Sequence, residues 1–418
     1  MEKAIIIAVN NNNLLLKEEI EELISLCEAC EIEIVDQVIQ NLERANSNSY
    51  VGKGKLEEIK IALNASETSL IVCNDELSPL QIATLEKELD VDVFDRTFII
   101  LEIFKRRAKT KEAILQVELA FQKYQLPRLI GSRSNLSRQR GTGGGFAHGR
   151  GAGEMKLELE RRNIYDRMAI IKSELESLTK LRQQQRVKRK KNQMKIVSLV
   201  GYTNSGKSST LNSLLQYSTL PKKEVFEKDM LFATLETSTR AIRTKHNLNF
   251  LLTDTVGFVN KLPHQLIEAF KSTLEEIKES DLIIHVVDSA NPKFEDQIKT
   301  TNKVLDELGV KDIPILYAFN KIDLIEDYFY IPPDYSNAIR ISATKNINLE
   351  KLLELIETEL FAAYNEVILE IPYEHSHLIN LIKENAIIKE YRETESFYYI
   401  EAKVSDYLFE QIKQFITK

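Results

Sequence analysis

The sequence predicts an α/β protein whose chemistry sits in the second of two α/β units. Three observations carry this. Residues 1–105 alternate short apolar runs with helical patterns, which argues a small parallel α/β domain. Residues 110–191 show helical spacing interrupted by one glycine-rich segment. Residues 195–215 run from a strand pattern through a glycine-bounded loop into a helix. The expected domains are 1–108, 109–192, 193–362 and 363–418. They read as a small parallel α/β domain, a helical hairpin, a second α/β domain and a small α+β domain.

Within the first domain, Ala4–Val9, Ile32–Val38, Leu70–Cys73 and Val91–Phe94 read as strands. Leu16–Cys27, Leu56–Ala62 and Pro79–Leu89 read as the helices between them. Thr110–Tyr124 reads as a helix with Ile114, Val117, Phe121 and Tyr124 on one face. Glu154–Lys191 reads as a long helix with Leu157, Ile164, Met168, Ile171, Leu175 and Leu178 near heptad spacing. The two helices suggest an antiparallel hairpin with the glycine-rich loop at its tip. In the tail, Val367–Ile371 and Phe397–Ala402 are strand-like, and Ser376–Glu384 and Tyr407–Thr417 helix-like.

The chain has 418 residues and a formal net charge of −7, with 43% hydrophobic and 28% charged residues. That composition supports packed cores rather than global disorder. No run approaches the ~18 apolar residues of a membrane span. The start, MEKAIIIAVNNNN, is too short and polar for a secretory signal. Three cysteines do not make a disulfide framework. The expected location is the cytoplasm, with partial membrane association as a further option, and the expected state is a monomer.

Charge is uneven. Residues 126–195 carry 18 Lys and Arg against 6 Asp and Glu, and Gly141–Gly153 holds seven of the fourteen glycines. Around that loop lie Arg128, Arg133, Arg138, Arg140 and Arg150, with no acid from Leu126 to Gly153. Arg without Asp or Glu favours a nucleic-acid contact over a plain flexible linker. The run Arg186, Lys188, Arg189, Lys190 and Lys191 reads as a solvated hinge or a second phosphate contact.

Lys195–Val200 leads into Gly201, Tyr202, Thr203, Asn204, Ser205, Gly206, Lys207 and Ser208, which spell G-x-x-x-x-G-K-S before a helix over Ser209–Leu215. Backbone amides and the helix N-terminus of such a loop cradle phosphates. Lys207 is expected to reach the β and γ phosphates, and the Ser208 hydroxyl to ligate Mg²⁺. Phe250–Leu252 leads into Asp254-Thr255-Val256-Gly257, the Asp-x-x-Gly of GTPases. There the Asp supports the Mg²⁺ shell and the Gly257 N–H senses the γ-phosphate. Ile315–Phe319 leads into Asn320-Lys321-Ile322-Asp323. Asp323 can accept both the ring N–H and the exocyclic amine of guanine, a pair of donors that adenine lacks, so the pattern selects GTP over ATP. Ser342-Ala343-Thr344 matches the second base-contacting loop. Phe232, Ala233, Thr234, Leu235 and Glu236 form the expected switch I, with Thr234 as its Mg²⁺ ligand and Thr237 or Thr239 as competitors. The position after Gly257, where many GTPases orient water with Gln, is Phe258. Slow turnover and dependence on a partner follow. Asn204 either coordinates K⁺ beside the phosphates or stabilises the loop.

These motifs, with Tyr50-Val-Gly-Lys-Gly-Lys55, resemble the HflX family of translation-factor-class GTPases over essentially the whole chain. The resemblance implies a P-loop GTPase domain at 193–362. It also implies binding to ribosomes, mainly the large subunit and its RNA, and splitting of stalled or idle ribosomes under stress. The first domain and the hairpin would make the contact, with the loop near the peptidyl-transferase centre. The chain departs from the family at Gly151-Ala-Gly-Glu-Met-Lys-Leu-Glu158, where Gly-Pro-Gly-Glu-Thr-Gln-Leu-Glu is usual, and at Glu236 and Thr237, where Asp-Pro is usual. The competing function is a large-subunit assembly or anti-association GTPase without splitting activity.

Weaker signals are Cys27-Glu-Ala-Cys30, read as structural before zinc or redox. Gly52-Lys-Gly54-Lys55 reads as a phosphate-holding turn or a turn with solvated lysines. His375 and His377 lack a metal partner set.

Overall fold

The computed structural model describes residues 2–131, 149–191, 194–219, 238–246, 248–261, 266, 276–326, 329–362 and 364–417. Their contacts divide the chain into two compact units. The first comprises Met1–Gln185 together with Val259–Lys261 and Leu266; the second takes in the remaining described residues.

The first unit carries a four-stranded sheet in the order β2-β1-β3-β4, all parallel. The strands are β1 (Glu2–Asn10), β2 (Ile32–Asn41), β3 (Leu70–Cys73) and β4 (Asp92–Asp95). Ala4–Ala8 of β1 are wholly buried, as expected of a central parallel strand covered on both faces. Helices α1 (Leu16–Ala29), α2 (Lys53–Ser66) and α3 (Pro79–Leu89) make the crossovers. Helix α3 starts where it does because Ser78 and Gln81 form a reciprocal capping box and Pro79 needs no N–H partner in the first turn.

A fourth helix, α4 (Arg96–Arg107), is absent from the sequence reading. Ile99, Ile100, Leu101, Ile103 and Phe104 are all buried, so the helix is apolar on most sides and shows no single stripe. Its N-cap, Asp95, is fully buried and accepts four hydrogen bonds. Oδ1 takes Phe98 N at 2.8 Å and the Tyr124 hydroxyl at 2.8 Å. Oδ2 takes Leu77 N at 3.0 Å and Arg128 Nη2 at 2.8 Å.

Helix α5 (Lys111–Gly131) runs past Tyr124 and through Pro127, longer than the sequence suggests. Arg128 explains part of this. Its Nη1 donates to the Tyr124 carbonyl at 2.7 Å, and its guanidinium lies 3.2 Å from the Tyr124 ring centre. Arg128 is therefore a structural partner of Asp95 rather than part of an exposed basic patch. The expected face of α5 is also corrected. Ile114 is exposed, while Leu115 and Leu119 pack on Met168 and Ile171 of α6 (Gly149–Lys191). Val117, Ala120 and Tyr124 are buried as well, because α5 also packs against α3 and α4.

Helix α6 begins at Gly149, five residues before the expected start. The hairpin is antiparallel: Lys111 pairs with Glu174 at 2.7 Å, and Arg167 grips both carboxylate oxygens of Glu118 at 2.6 and 2.7 Å. Arg133, Arg138, Arg140 and Gly141–Gly145 lie outside the described residues.

The second unit holds a six-stranded sheet in the order β10-β9-β8-β5-β7-β6, parallel except for β6 against β7. The strands are β5 (Lys195–Val200), β6 (Ser238–Arg243), β7 (Asn249–Asp254), β8 (Leu282–Asp288), β9 (Ile315–Asn320) and β10 (Ala338–Arg340). One face packs Leu199, Leu316 and Ala318 against Leu211 and Leu214 of α7 (Lys207–Leu215) and Leu352 and Ile356 of α9 (Leu349–Leu360). The other packs Val287 and Phe319 against Ile298 of α8 (Phe294–Glu307). The chain ends in an antiparallel sheet β11-β13-β12, formed by β11 (Asn365–Pro372), β12 (Ile387–Glu393) and β13 (Phe397–Val404). Its helices are α10 (His377–Asn385) and α11 (Asp406–Ile412). The last helix is shorter than expected, giving way to a 3-10 turn over Lys413–Phe415.

Among the described residues no helix is long and apolar enough to cross a membrane. All three cysteines are free and buried, and burial pushes the Cys30 thiol up to about 11, which suits structural cysteines. No group of three or more metal-binding side chains occurs among the described residues.

Asp95 makes the first unit's stability testable. Asp95→Ala strands Arg128 and frees two backbone amides, so a loss of about 3–5 kcal/mol is expected. Amide exchange at β1 and β3 measures it; protection unchanged from wild type would contradict this role.

Candidate nucleotide site

The site is built at the carboxyl ends of β5, β7, β8 and β9, where an open parallel sheet presents its loops. β5 ends at Val200 and the chain turns through Gly201–Gly206 into α7. Two glycines are forced. Gly201 has φ +149, and a Cβ there would lie 2.2 Å from the Val286 carbonyl oxygen. Gly206 has φ +92, and its Cβ would lie 2.2 Å from Asn320 Nδ2. Asn204 is also left-handed, at φ 59.

Asn320 explains the second clash. Its Nδ2 donates to the Ser205 carbonyl at 2.9 Å, and its Oδ1 accepts from Ala343 N at 3.0 Å. One side chain thus ties the phosphate loop to the Ser342-Ala343-Thr344 loop. Ser213 of α7 adds a bond to the Ala343 carbonyl at 2.8 Å, and the Ser342 and Thr344 hydroxyls lie 3.3 Å apart. Lys321, left-handed at φ 65, donates to Asp288 Oδ2 at 2.7 Å. Ile322 and Asp323 lie on the short 3-10 turn that follows. Asp323 Oδ1 is buried with no hydrogen-bond partner among the described residues. A buried, unmatched carboxylate oxygen suits the two donors on one edge of guanine.

Asp254 ends β7, fully buried, and its Oδ2 accepts from the Ser208 hydroxyl at 2.7 Å. A hydroxyl and a carboxylate side by side form a hard oxygen donor pair, which fits Mg²⁺. Thr255 Oγ1 donates to the Leu199 carbonyl at 2.7 Å, fixing the strand end. Phe258 N donates to the Gly201 carbonyl at 3.2 Å, and Thr203 N to the Phe258 carbonyl at 2.7 Å. Tyr202 and Phe258 thereby form a parallel bridge. This places Gly257 against the loop: a Cβ would come within 2.8 Å of Thr203 Cα and 3.0 Å of Lys207 Nζ. Lys207 is buried, and its Nζ donates to the carbonyls of Gly201 at 3.2 Å and Tyr202 at 2.8 Å. Burial pulls its ammonium down to about 8.

The phosphate loop, Asp254–Gly257, Asn320–Asp323 and Ser342–Thr344 therefore meet at one end of one sheet. Phe232, Ala233, Thr234, Leu235 and Glu236 lie outside the described residues. Thr239 is placed: it stands in β6 opposite Thr253, hydroxyls 3.0 Å apart. No motif in the sequence marks His285 of β8. It is fully buried, its ring centre 5.3 Å from that of Tyr317, and Nδ1 has no hydrogen-bond partner among the described residues. Burial, with the Lys207 charge adding to it, pulls its imidazole down to about 3.

Two predictions follow from this geometry. Gly206→Ala should break the Asn320 link and lower GTP and GDP affinity by on the order of tenfold or more, read by equilibrium binding; near-wild-type affinity would contradict the clash. For His285, the folded pKa lies below the unfolded ~6.5. Between those values the unfolded chain binds the proton more readily. Its contribution is full above pH ~6.5 and falls as pH drops, by up to about 1.4 kcal/mol per pH unit. His285→Phe should flatten that acid limb in urea unfolding from pH 7 to 4. An unchanged slope would count against a neutral buried imidazole.

Known proteins resemble this chain in sequence along most of its length. Three family models match: "GTP-binding GTPase N-terminal" at residues 17–105, "GTP-binding GTPase Middle Region" at 107–189 and "50S ribosome-binding GTPase" at 196–321. The GTPase HflX of Caldanaerobacter subterraneus subsp. tengcongensis is 43% identical over 96% of this chain and 90% of its own length. That of Escherichia coli is 36% identical over 90% of this chain and 88% of its own. A GTP-binding protein of Sulfolobus solfataricus, solved with GDP, is 29% identical over 86% of this chain and 99% of its own, at a TM-score of 0.45. With the nucleotide loops assembled as described and relatives this similar along nearly the whole chain, the protein is a GTP-hydrolysing enzyme and belongs to the HflX family of GTPases.

Proposed function

We propose that this GTPase acts on the ribosome, binding the large subunit and its RNA and splitting stalled or idle ribosomes under stress. The observation that carries the reading is the meeting of all four described nucleotide loops at one sheet end, in a chain matched at 196–321 by a family described as ribosome-binding. The domain division proposed with it is 1–108, 109–192, 193–362 and 363–418, acting as a monomer.

In this reading the amides of Gly201–Gly206 and the start of α7 hold the phosphates. Lys207 leaves the loop carbonyls to pair with the β and γ phosphates. Gly257 N–H turns to the γ-phosphate, and Asp323 takes the guanine edge. Thr203, Asn204 and Ser205 line the loop; Ser342, Ala343 and Thr344 close over the base. Ser208 and Thr234 would hold Mg²⁺, backed by Asp254, and the ion would supply positive charge against the phosphates. Phe258 has no polar atom with which to orient water, and its backbone is engaged by Gly201 and Thr203. The missing geometry is then supplied by the ribosome, which makes the partner a requirement for fast turnover. Arg133, Arg138, Arg140 and Arg150 contact ribosomal RNA in this scheme.

The test is GTP hydrolysis with and without purified large subunits. Stimulation on the order of tenfold or more is expected, together with separation of intact ribosomes on sedimentation that Lys207→Ala abolishes. Stimulation without separation would transfer the assignment to an assembly or anti-association role. No stimulation of folded, GTP-binding protein would overturn the ribosomal reading.

A further inference from the structure

Asp288 belongs to none of the nucleotide motifs, yet it holds a residue at the centre of one. It is the last residue of β8, opposite Asn320, the last of β9. Beyond this rung both strands give way to loops, although Ser289 N still donates to the Asn320 carbonyl at 2.9 Å. Asp288 uses both carboxylate oxygens. Oδ1 accepts from Ala290 N at 3.1 Å, which closes a turn and sets the direction of the carboxylate. Oδ2 accepts from Lys321 Nζ at 2.7 Å. The two side chains are 19% and 23% exposed, so the pair is shielded from the water that weakens surface ion pairs.

Lys321 stands where such a hold has an effect. Its backbone is left-handed at φ 65, a conformation that a residue with a Cβ adopts at a cost. It also precedes, as cap, the 3-10 turn Ile322–Leu324 on which Asp323 stands. On its other side Asn320 is already fixed, by the Ser205 carbonyl and Ala343 N. A lysine is a compact charge on a flexible stem, and the phosphates of a bound nucleotide compete for that charge. Lys321 lies near enough to Lys207 for its charge to help pull that ammonium down, after the larger effect of burial and against the Asp254 charge. Asp288 keeps the Lys321 ammonium at the end of β8 instead.

We propose that Asp288 is a positioning residue for guanine recognition. By holding Lys321 it pins the start of the turn that carries Asp323, so that the Asp323 carboxylate meets both guanine donors at once. It also keeps the Lys321 ammonium from swinging onto the phosphates, which every nucleoside triphosphate shares. Both effects raise selectivity for the base more than affinity for the nucleotide. The inference rests on the assignment of Asp323 to the guanine edge.

Equilibrium binding of GTP and of inosine triphosphate to the full-length chain tests it. Inosine triphosphate keeps the ring N–H and the phosphates but lacks the exocyclic amine. Asp288→Asn retains an oxygen for Ala290 N and removes the charge that holds Lys321. It should lower the ratio of GTP affinity to inosine triphosphate affinity by about three- to tenfold. Lys321→Met should lower the ratio to a similar extent, and the double variant should go no further than the larger single effect. A merely structural pair would weaken both nucleotides alike and leave the ratio unmoved; that outcome, or additive single effects, overturns the proposal. Asp323→Asn separates the two layers. If it lowers the ratio while Asp288→Asn does not, the positioning role is wrong and the guanine assignment stands. If Asp323→Asn leaves the ratio intact, the assignment fails and the role of Asp288 with it.

Discussion

The nucleotide site depends on the carboxamide of Asn320. An amide side chain offers a donor and an acceptor on opposite edges of one rigid plane. Here the donor edge holds the Ser205 carbonyl and the acceptor edge holds Ala343 N. Neither Asp nor Gln serves: Asp lacks the donor, and Gln places both groups one carbon too far. The bond also dictates Gly206, since the space a Cβ needs is filled by Nδ2. With Lys321 tied to Asp288 and Ser213 to Ala343, loops distant in sequence become one rigid surface. Little reorganisation then remains to be done when a base and its phosphates arrive.

The first unit solves a different problem with similar means. Its sheet is small, α4 and α5 are buried on more than one side, and a few polar side chains, Glu19, Asn74, Asp95 and Arg96 among them, are drawn inward. Asp95 joins β4, α4 and α5 through four hydrogen bonds, and Arg96 joins α1 to the end of β3. Such networks are costly when broken and specific when complete.

Legibility in the sequence followed the range of the interactions involved. Leu70–Cys73, Pro79–Leu89 and Lys195–Val200 were readable to the residue, because each is bounded by local turn or capping chemistry. Helix α4 was not, because burial on most of its sides erased the periodicity that marks a helix. The face of α5 differs from the single expected stripe for a related reason: the helix packs both on α6 and on α3 and α4. Arg128 looked like part of a basic surface and proved to be the partner of a buried carboxylate 33 positions earlier. The sequence also left β8 and β12 unmarked, although each is seven residues long.

The sequence by itself determined the kind of chemistry. Gly201–Ser208, Asp254–Gly257 and Asn320–Asp323 are local motifs whose residue types are required by phosphate, metal and guanine, so their spacing and order suffice to read them. Tertiary structure alone decided what those motifs touch: that Asn320 closes on Gly206, that Phe258 is bridged to the phosphate loop, that His285 is buried beside Tyr317, and that Lys321 reaches Asp288, 33 positions away. The physical reason is that hydrogen bonds and ion pairs depend on distance in space. A sequence records only the capacity to form them, whereas the packed sheet ends bring the two halves of each bond within reach.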